Sequence, residues 1–215
     1  MNIIKLKFAL FFPFLLILFV GNAGALPQVY REGVHYQLIT PPLTHPHNGK
    51  VQIEEFLWYG CETCYVIQPD LARWIEKRKN SIEYHRIPAV TNDDMILMAR
   101  AFYTAEELGL GEQLHQPLFA AIHRYRRKLH NEDELAAFFA EHGVSEKEFH
   151  QTFSSSYVAG KVNKARILGN RYGIEGAPTI VINGKYRVDS SMVVNARELI
   201  AVIDFLVTKE ISKNI

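Results

Sequence analysis

The 215-residue chain is 48% apolar, 22% charged and 12% aromatic, with 24 Lys+Arg against 23 Asp+Glu. This globular composition excludes a disordered or collagen-like chain, and its two cysteines are too few for a disulfide-dense mini-protein. A near-zero charge balance gives no electrostatic reason to expect nucleic acid as a partner.

The first 25 residues differ from the rest. Lys5 and Lys7 supply a positive start, Phe8 to Val20 is apolar apart from Pro13, and Ala23-Gly24-Ala25 offers small residues for cleavage. The pattern predicts an export signal cut after Ala25, because the apolar run is shorter than the ~20 residues of a spanning helix. Export places Cys61 and Cys64 in an oxidising compartment, where a disulfide persists. A loop that small gains little stability from closure, so the pair points to chemistry rather than to a staple.

Along the chain, His35 to Ile39 reads as a short strand, followed by a link rich in proline (Pro41, Pro42, Pro46). Val51 to Trp58 is a strand whose alternation places Val51, Ile53, Glu55 and Leu57 on one face, with Glu55 the odd member. Ile67, Leu71, Trp74 and Ile75 fall at helical spacing, which starts a helix near Cys61, with Pro69 expected to bend it. Ile82 to Ile87 is the next strand and completes a βαβ-type unit. Helical patterns then fill Met95 to Leu108, Leu114 to Ile122, Glu132 to Phe139, a segment opened by the capping-box spacing Ser145…Glu148, and Val158 to Tyr172, the longest run. Strand signals return at Thr179 to Ile182 and Lys185 to Val188, joined by the hairpin dipeptide Asn183-Gly184, and Ala196 to Val207 is a last amphipathic helix. The organisation is an α/β domain split by a helical insertion: a leader over 1–25, the first part of the domain over 26–90, the insertion over 91–172 and the second part over 173–215.

A Cys-x-x-Cys turn at a helix start sets both sulfurs on one side of the first turn, at a separation that a disulfide permits. Unsatisfied N–H groups and the positive end of the helix dipole stabilise the first thiolate. A lowered thiol pKa sets both reactivity and redox poise. Cys61 is therefore the reactive sulfur and Cys64 the buried resolving thiol. Half of a metal site is the competing reading, but no second cysteine pair exists, and His45 and His47 lie too near one another on a loop to complete one.

The strand, the Trp58-Tyr59 pair, Cys61-Glu62-Thr63-Cys64, the Pro69 helix, the helical insertion, Gly176-Ala177-Pro178-Thr179 and the run Val181 to Tyr186 together resemble the DsbA family of thiol:disulfide oxidoreductases. The resemblance covers nearly the whole chain after the leader, in order. It implies an α/β thioredoxin-like fold with an inserted all-helical domain, a periplasmic location, and oxidation of thiols in reduced or unfolded secreted proteins through a mixed disulfide. It further implies reoxidation by a membrane quinone-linked partner of the DsbB type, with no cofactor beyond the Cys61–Cys64 couple and no metal. Pro178 matches the family's cis-proline facing the cysteines, and Ala177, Trp58 and Tyr59 are the candidate substrate contacts. Glu55 matches the family's buried acid, whose pKa burial raises and which exchanges a proton with Cys64.

Two departures stand out. The family often pairs the buried acid with a lysine on the following strand, whereas Ile82-Glu83-Tyr84-His85-Arg86 holds none and leaves His85 or Arg86 as substitutes. The family's Pro-His dipeptide between the cysteines is Glu62-Thr63 here, which removes a cation, adds a carboxylate beside the thiolate and predicts a weaker oxidant or a different redox partner. The alternatives are an isomerase or reductase of the same fold, or a noncatalytic peptide-binding chaperone.

Overall fold

The computed structural model describes residues 30–43 and 49–213. The expected export signal, its cut after Ala25, and His45 and His47 lie outside the described residues. Five strands form one mixed sheet: β1 (Gln37–Leu38), β2 (Val51–Leu57), β3 (Ile82–Pro88), β4 (Thr179–Ile182) and β5 (Tyr186–Asp189), in the order β1-β5-β4-β2-β3. Only β2 and β3 run parallel. They are joined by the helix α1 (Glu62–Arg78), because a parallel pair needs a crossover of this length. Strands on both sides of the helical segment thus share one sheet, as the split pattern requires.

Five helices intervene between β3 and β4: α2 (Asp94–Glu107), α3 (Gly111–His123), α4 (Glu132–Ala140), α5 (Glu146–Phe153) and α6 (Ser156–Tyr172), and α7 (Ala196–Lys213) closes the described chain. At 18 residues α7 is longer than α6, since Glu210 beyond the expected end is buried and holds the last turns on the sheet. The first strand is shorter than its pattern suggested, two residues rather than five, with its pairing confined to Gln37 and Leu38 against β5. The hairpin dipeptide behaves as its chemistry demands. Asn183 and Gly184 both take positive φ, +52° and +60°, at the turn between antiparallel β4 and β5, which the Lys185 N–H closes by donating to the Ile182 carbonyl at 2.9 Å. At Ser145 the hydroxyl accepts from the Glu148 N–H at 3.3 Å, which is the serine half of the expected capping box.

The two sheet faces are covered differently. Val51 and Ile53 of β2 and Ile180 and Ile182 of β4 meet Ile67, Leu71 and Trp74 of α1 and Leu199, Val202 and Leu206 of α7. Phe56 and Val181 point the other way, onto Tyr172 and Ile174 at the end of α6. A third cluster fills the helical block with Phe119, Phe138, Phe139 and Phe149, and it reaches Leu57, Tyr59 and Cys64. The end of β2 and the start of α1 therefore sit where the sheet layer and the helical block meet. Among the described residues no helix is long and apolar enough to cross a membrane.

Candidate active site

At that junction the chain leaves β2 through Trp58-Tyr59-Gly60. A Cβ on Gly60 would come within 2.4 Å of the Trp58 indole, so only glycine lets the ring fold across this turn. The Cys61 amide donates to the Trp58 carbonyl at 3.0 Å, and Cys61 then takes the N-cap position of α1 with extended φ/ψ. Its sulfur does the work that Ser or Asp does at other helix starts, accepting the Cys64 N–H at 3.1 Å. Both cysteines are free thiols, Cys61 half-exposed and Cys64 fully buried.

This placement separates the two sulfurs chemically. The hydrogen bond from the Cys64 thiol, followed by the Cys64 and Thr63 amides, outweighs burial and lowers the Cys61 pKa from 9.0 to about 7. The Cys64 thiol moves far upward, first because it is buried and then because the Cys61 sulfur is its neighbour. The carboxylate that raises both is Glu55. A direct consequence is selective alkylation. In reduced protein, iodoacetamide should modify Cys61 with a rate midpoint near pH 7 and leave Cys64 untouched in the folded state, as read by mass spectrometry of the digested adduct. Equal labelling of the two cysteines, or a midpoint near 9, would remove the helix-start stabilisation.

The Cys61 thiol also lies 3.3 Å from the Ala177 carbonyl oxygen, a contact across 116 positions of sequence. Ala177 is half-buried, Pro178 is buried, and the bond between them is cis, as is Thr40–Pro41, which no sequence feature signalled. Trp58 is half-buried beside the cysteines. Tyr59 is not on the surface: it is 2% exposed, with its hydroxyl 3.2 Å from His115 Nδ1, so it has no face to offer a peptide.

Glu55 is fully buried below the cysteines. Burial raises its pKa, opposed by hydrogen bonds from Tyr84 and Gln68 and by the charge of Arg86. Gln68 Nε2 donates to Glu55 Oε1 at 2.9 Å and to the Cys64 carbonyl at 3.2 Å, and the Tyr84 hydroxyl meets Glu55 Oε2. Of the two expected substitutes for the missing lysine, Arg86 acts only through its charge, its guanidinium being bonded to Glu112 at 2.6 Å. His85 faces away and pairs with Glu83. Register explains this, since β3 sets Tyr84 opposite Ile53 and Arg86 opposite Glu55, so both emerge on the Glu55 face while His85 lies opposite Glu54.

Sequence reasoning missed Gln68, Tyr84 and His115. Gln68 had a readable signal: it lies four residues after Cys64 on the buried stripe of α1, a polar residue where an apolar one was due. The same test would have flagged Glu54, buried at 4% exposure and accepting the Tyr172 hydroxyl at 2.7 Å on the opposite face of the sheet. Among the described residues no cluster of His, Cys, Asp or Glu could hold a metal ion.

Comparison with known proteins decides the family. Residues 63–202 match the model of the DSBA-like thioredoxin domain. The chain belongs to the DsbA-like thioredoxin family. It is 33% identical over 181 residues to the thiol:disulfide interchange protein DsbA of Pseudomonas aeruginosa, covering 84% of this chain and 86% of that one. Against the DsbA of Burkholderia cepacia it is 34% identical over 188 residues, 87% and 89% of the two chains. The crystal structure of Pseudomonas aeruginosa DsbA superposes with a TM-score of 0.79 at 32% identity, covering 86% of this chain and 96% of that one. The oxidoreductase DsbA from Xylella fastidiosa gives 0.78 at 29% identity, covering 85% and 98%. This DsbA-like chain is a thiol:disulfide oxidoreductase with the thioredoxin-like α/β fold and helical insertion that the resemblance implied.

Proposed function

We propose that the protein is an exported dithiol oxidase that introduces disulfides into reduced secreted proteins in the periplasm, using Cys61 and Cys64 as its whole redox couple. The observation that carries this reading is the split between the two sulfurs, one a thiol lowered to about 7 and half-exposed, the other buried and held protonated. A substrate thiolate attacks Cys61 of the oxidised pair, the Cys61–Cys64 bond breaks, and Cys64 leaves and takes a proton whose source is Glu55. A second substrate thiolate then attacks the substrate sulfur of the mixed disulfide, and Cys61 leaves as a thiolate. The two electrons of the new substrate disulfide now reside in the Cys61–Cys64 dithiol, which a membrane quinone-linked partner of the DsbB type reoxidises. The Ala177 backbone, one contact from Cys61, pairs with the extended substrate segment, with Trp58 beside it and Pro178 contributing no donor that would compete.

The test is turnover of a reduced, unfolded protein by the oxidised form with glutathione disulfide as terminal oxidant. Loss of substrate thiols with regain of native disulfides is expected. Rearrangement of scrambled disulfides without net oxidation would make it an isomerase, and binding without thiol change would make it a chaperone.

The dipeptide between the cysteines gives a second check. Glu62 and Thr63 are both exposed, and the backbone N–H of position 63 that supports Cys61 survives substitution. Glu62→Pro with Thr63→His therefore keeps the turn, removes an anion and adds a cation. Position 62 is the first helical residue, where proline is tolerated. The Cys61 titration should fall by about one unit or more, equivalent to ~1.4 kcal/mol. The reduction potential should become more oxidising. Unchanged thiolate absorbance and an unchanged equilibrium with glutathione would show that Glu62 does not tune this sulfur.

A further inference from the structure

The hydrogen bonds around Glu55 have one consistent direction, and it fixes where the acid's proton sits. The Cys64 carbonyl can only accept, so the Gln68 NH₂ lies on that side, and it meets Glu55 Oε1 at 2.9 Å there. The Gln68 carbonyl Oε1 is then turned to His115 Nε2, 3.0 Å away, which must carry the hydrogen. His115 Nδ1 is left as the acceptor for the Tyr59 hydroxyl. His115 stays neutral in this role, its pKa pushed down to about 3 by burial and by the nearby Arg86. Every donor in the series Tyr59, His115, Gln68 points toward Glu55 Oε1, and an amide N–H cannot turn to accept, so Oε1 stays the accepting oxygen. A hydroxyl can do either: Tyr84 donates to Oε2 of the ionised acid, and in the neutral acid the proton sits on Oε2 and donates to the Tyr84 oxygen.

Tyr84 stands between this buried site and solvent. It lines a groove of about 580 Å³ at the open edge of the sheet, together with Arg86, Glu106, Glu112 and Tyr157. The helix α3 contributes to both sides, with His115 closing the interior and Glu112, its side chain 87% exposed, standing at the groove. The groups that face Glu55 are Cys64 and Gln68 from α1, Tyr84 and Arg86 from β3, and His115 through Gln68 from α3. Glu106 of α2 and His85 lie further out on the groove wall.

Resting on the assignment of Glu55 as the proton source for Cys64, we propose that Glu55 exchanges its proton with solvent through the Tyr84 hydroxyl and the groove beyond it, with Tyr84 the positioning residue of that route. The Glu55 Oε2 proton passes to the Tyr84 oxygen as the Tyr84 hydroxyl proton passes to water in the groove, and reprotonation runs the same path backward. No electron moves and Tyr84 remains a phenol. Burial, and then the Glu55 charge, hold its own ionisation well above the ordinary tyrosine value. Tyr84 thus gives Glu55 a neutral neighbour that conducts a proton without holding a charge.

The test is kcat for oxidation of a reduced dithiol peptide, with glutathione disulfide as terminal oxidant, from pH 5.5 to 8.5 in H₂O and D₂O. Tyr84→Phe should lower kcat about tenfold near neutral pH and enlarge the solvent isotope effect, less than loss of a proton-transfer group that itself reacts. The Cys61 titration should not move. Tyr84→Ser opens the groove to water at Oε2 and should return kcat to near the parent value, which no packing role would allow. In a Glu55→Gln background, Tyr84→Phe should add nothing. Parent kcat in Tyr84→Phe, equal losses in Phe and Ser, or additivity with Glu55→Gln would each overturn the route while leaving Glu55 in place. A Glu55→Gln protein at the parent rate would overturn the assignment of Glu55 itself, and the route with it.

Discussion

Cys64→Ser is expected to abolish turnover and to hold substrate on the protein. With Cys64 replaced, Cys61 keeps its N-cap place, because the bond that fixes it comes from the backbone N–H of residue 64 and not from its side chain. The thiolate still attacks a disulfide-bonded substrate, one substrate sulfur leaves, and a Cys61–substrate bond forms. Resolution of that bond from within needs a second protein thiol, and the sequence holds no third cysteine. A one-to-one adduct should therefore accumulate on non-reducing gels, disappear with dithiothreitol and be absent from Cys61→Ser. The variant should also titrate differently: loss of the Cys64 thiol hydrogen bond, the largest stabiliser of the Cys61 thiolate, raises its pKa from about 7 unless the serine hydroxyl donates in its place. Persistent turnover in Cys64→Ser, or adducts that form equally without Cys61, would end the mixed-disulfide mechanism for this chain.

How far the sequence could be read follows from which signals are local. The Cys-x-x-Cys turn, the Asn183-Gly184 hairpin and the Ser145 cap each depend on residues within four positions, and each forms as read. Glu55 was visible because strand alternation alone sets it among Val51, Ile53 and Leu57. Its partners were not, because Tyr84 reaches it only through the parallel register of β2 and β3, and His115 only through a helix 47 positions beyond Gln68. Tyr59 shows the converse limit. An aromatic residue beside reactive cysteines suits a peptide groove and a core equally by composition, and only the packing of α3 against it, with Phe119 at 4.8 Å between ring centres, decides for the core. Burial also makes Glu55, six positions before Cys61, a carboxylate that raises the Cys61 pKa, an influence that adjacency in the sequence does not reveal.

Loss of Glu210 should be strongly destabilising although it lies far from the cysteines. Its carboxylate, on the last turns of α7 and 1% exposed, accepts from Asn183 at 2.9 Å, Lys185 at 2.6 Å, Tyr186 at 3.1 Å and Lys213 at 3.0 Å. Asn183 in turn accepts the Gln52 N–H at 2.8 Å through its own side chain, so one carboxylate ties α7, the β4–β5 hairpin and β2 together. Burial alone would raise the Glu210 pKa, but the donors prevail and pull it down to about 2, with Lys185 and Asn183 the largest contributors. Glu210→Ala leaves two buried donors, Asn183 and Tyr186, without an acceptor, while Lys185 and Lys213 are exposed enough to find water. The expected cost is about 2–3 kcal/mol, below the loss for a fully enclosed pair, and for a chain of this size it lowers Tm by roughly 5–10 °C. The sign with pH follows from the depressed pKa: the contribution is complete above the unfolded value near 4.5 and disappears as pH falls toward 2. Urea unfolding at pH 7 and at pH 3 should show the gap between parent and Glu210→Ala shrinking at the lower pH. Glu210→Gln, which keeps the shape and an acceptor oxygen, should recover part of the loss at pH 7. A variant within 0.5 kcal/mol of the parent at pH 7, a change that ordinary surface substitutions produce, would mean that the hairpin and α7 hold together by apolar packing alone.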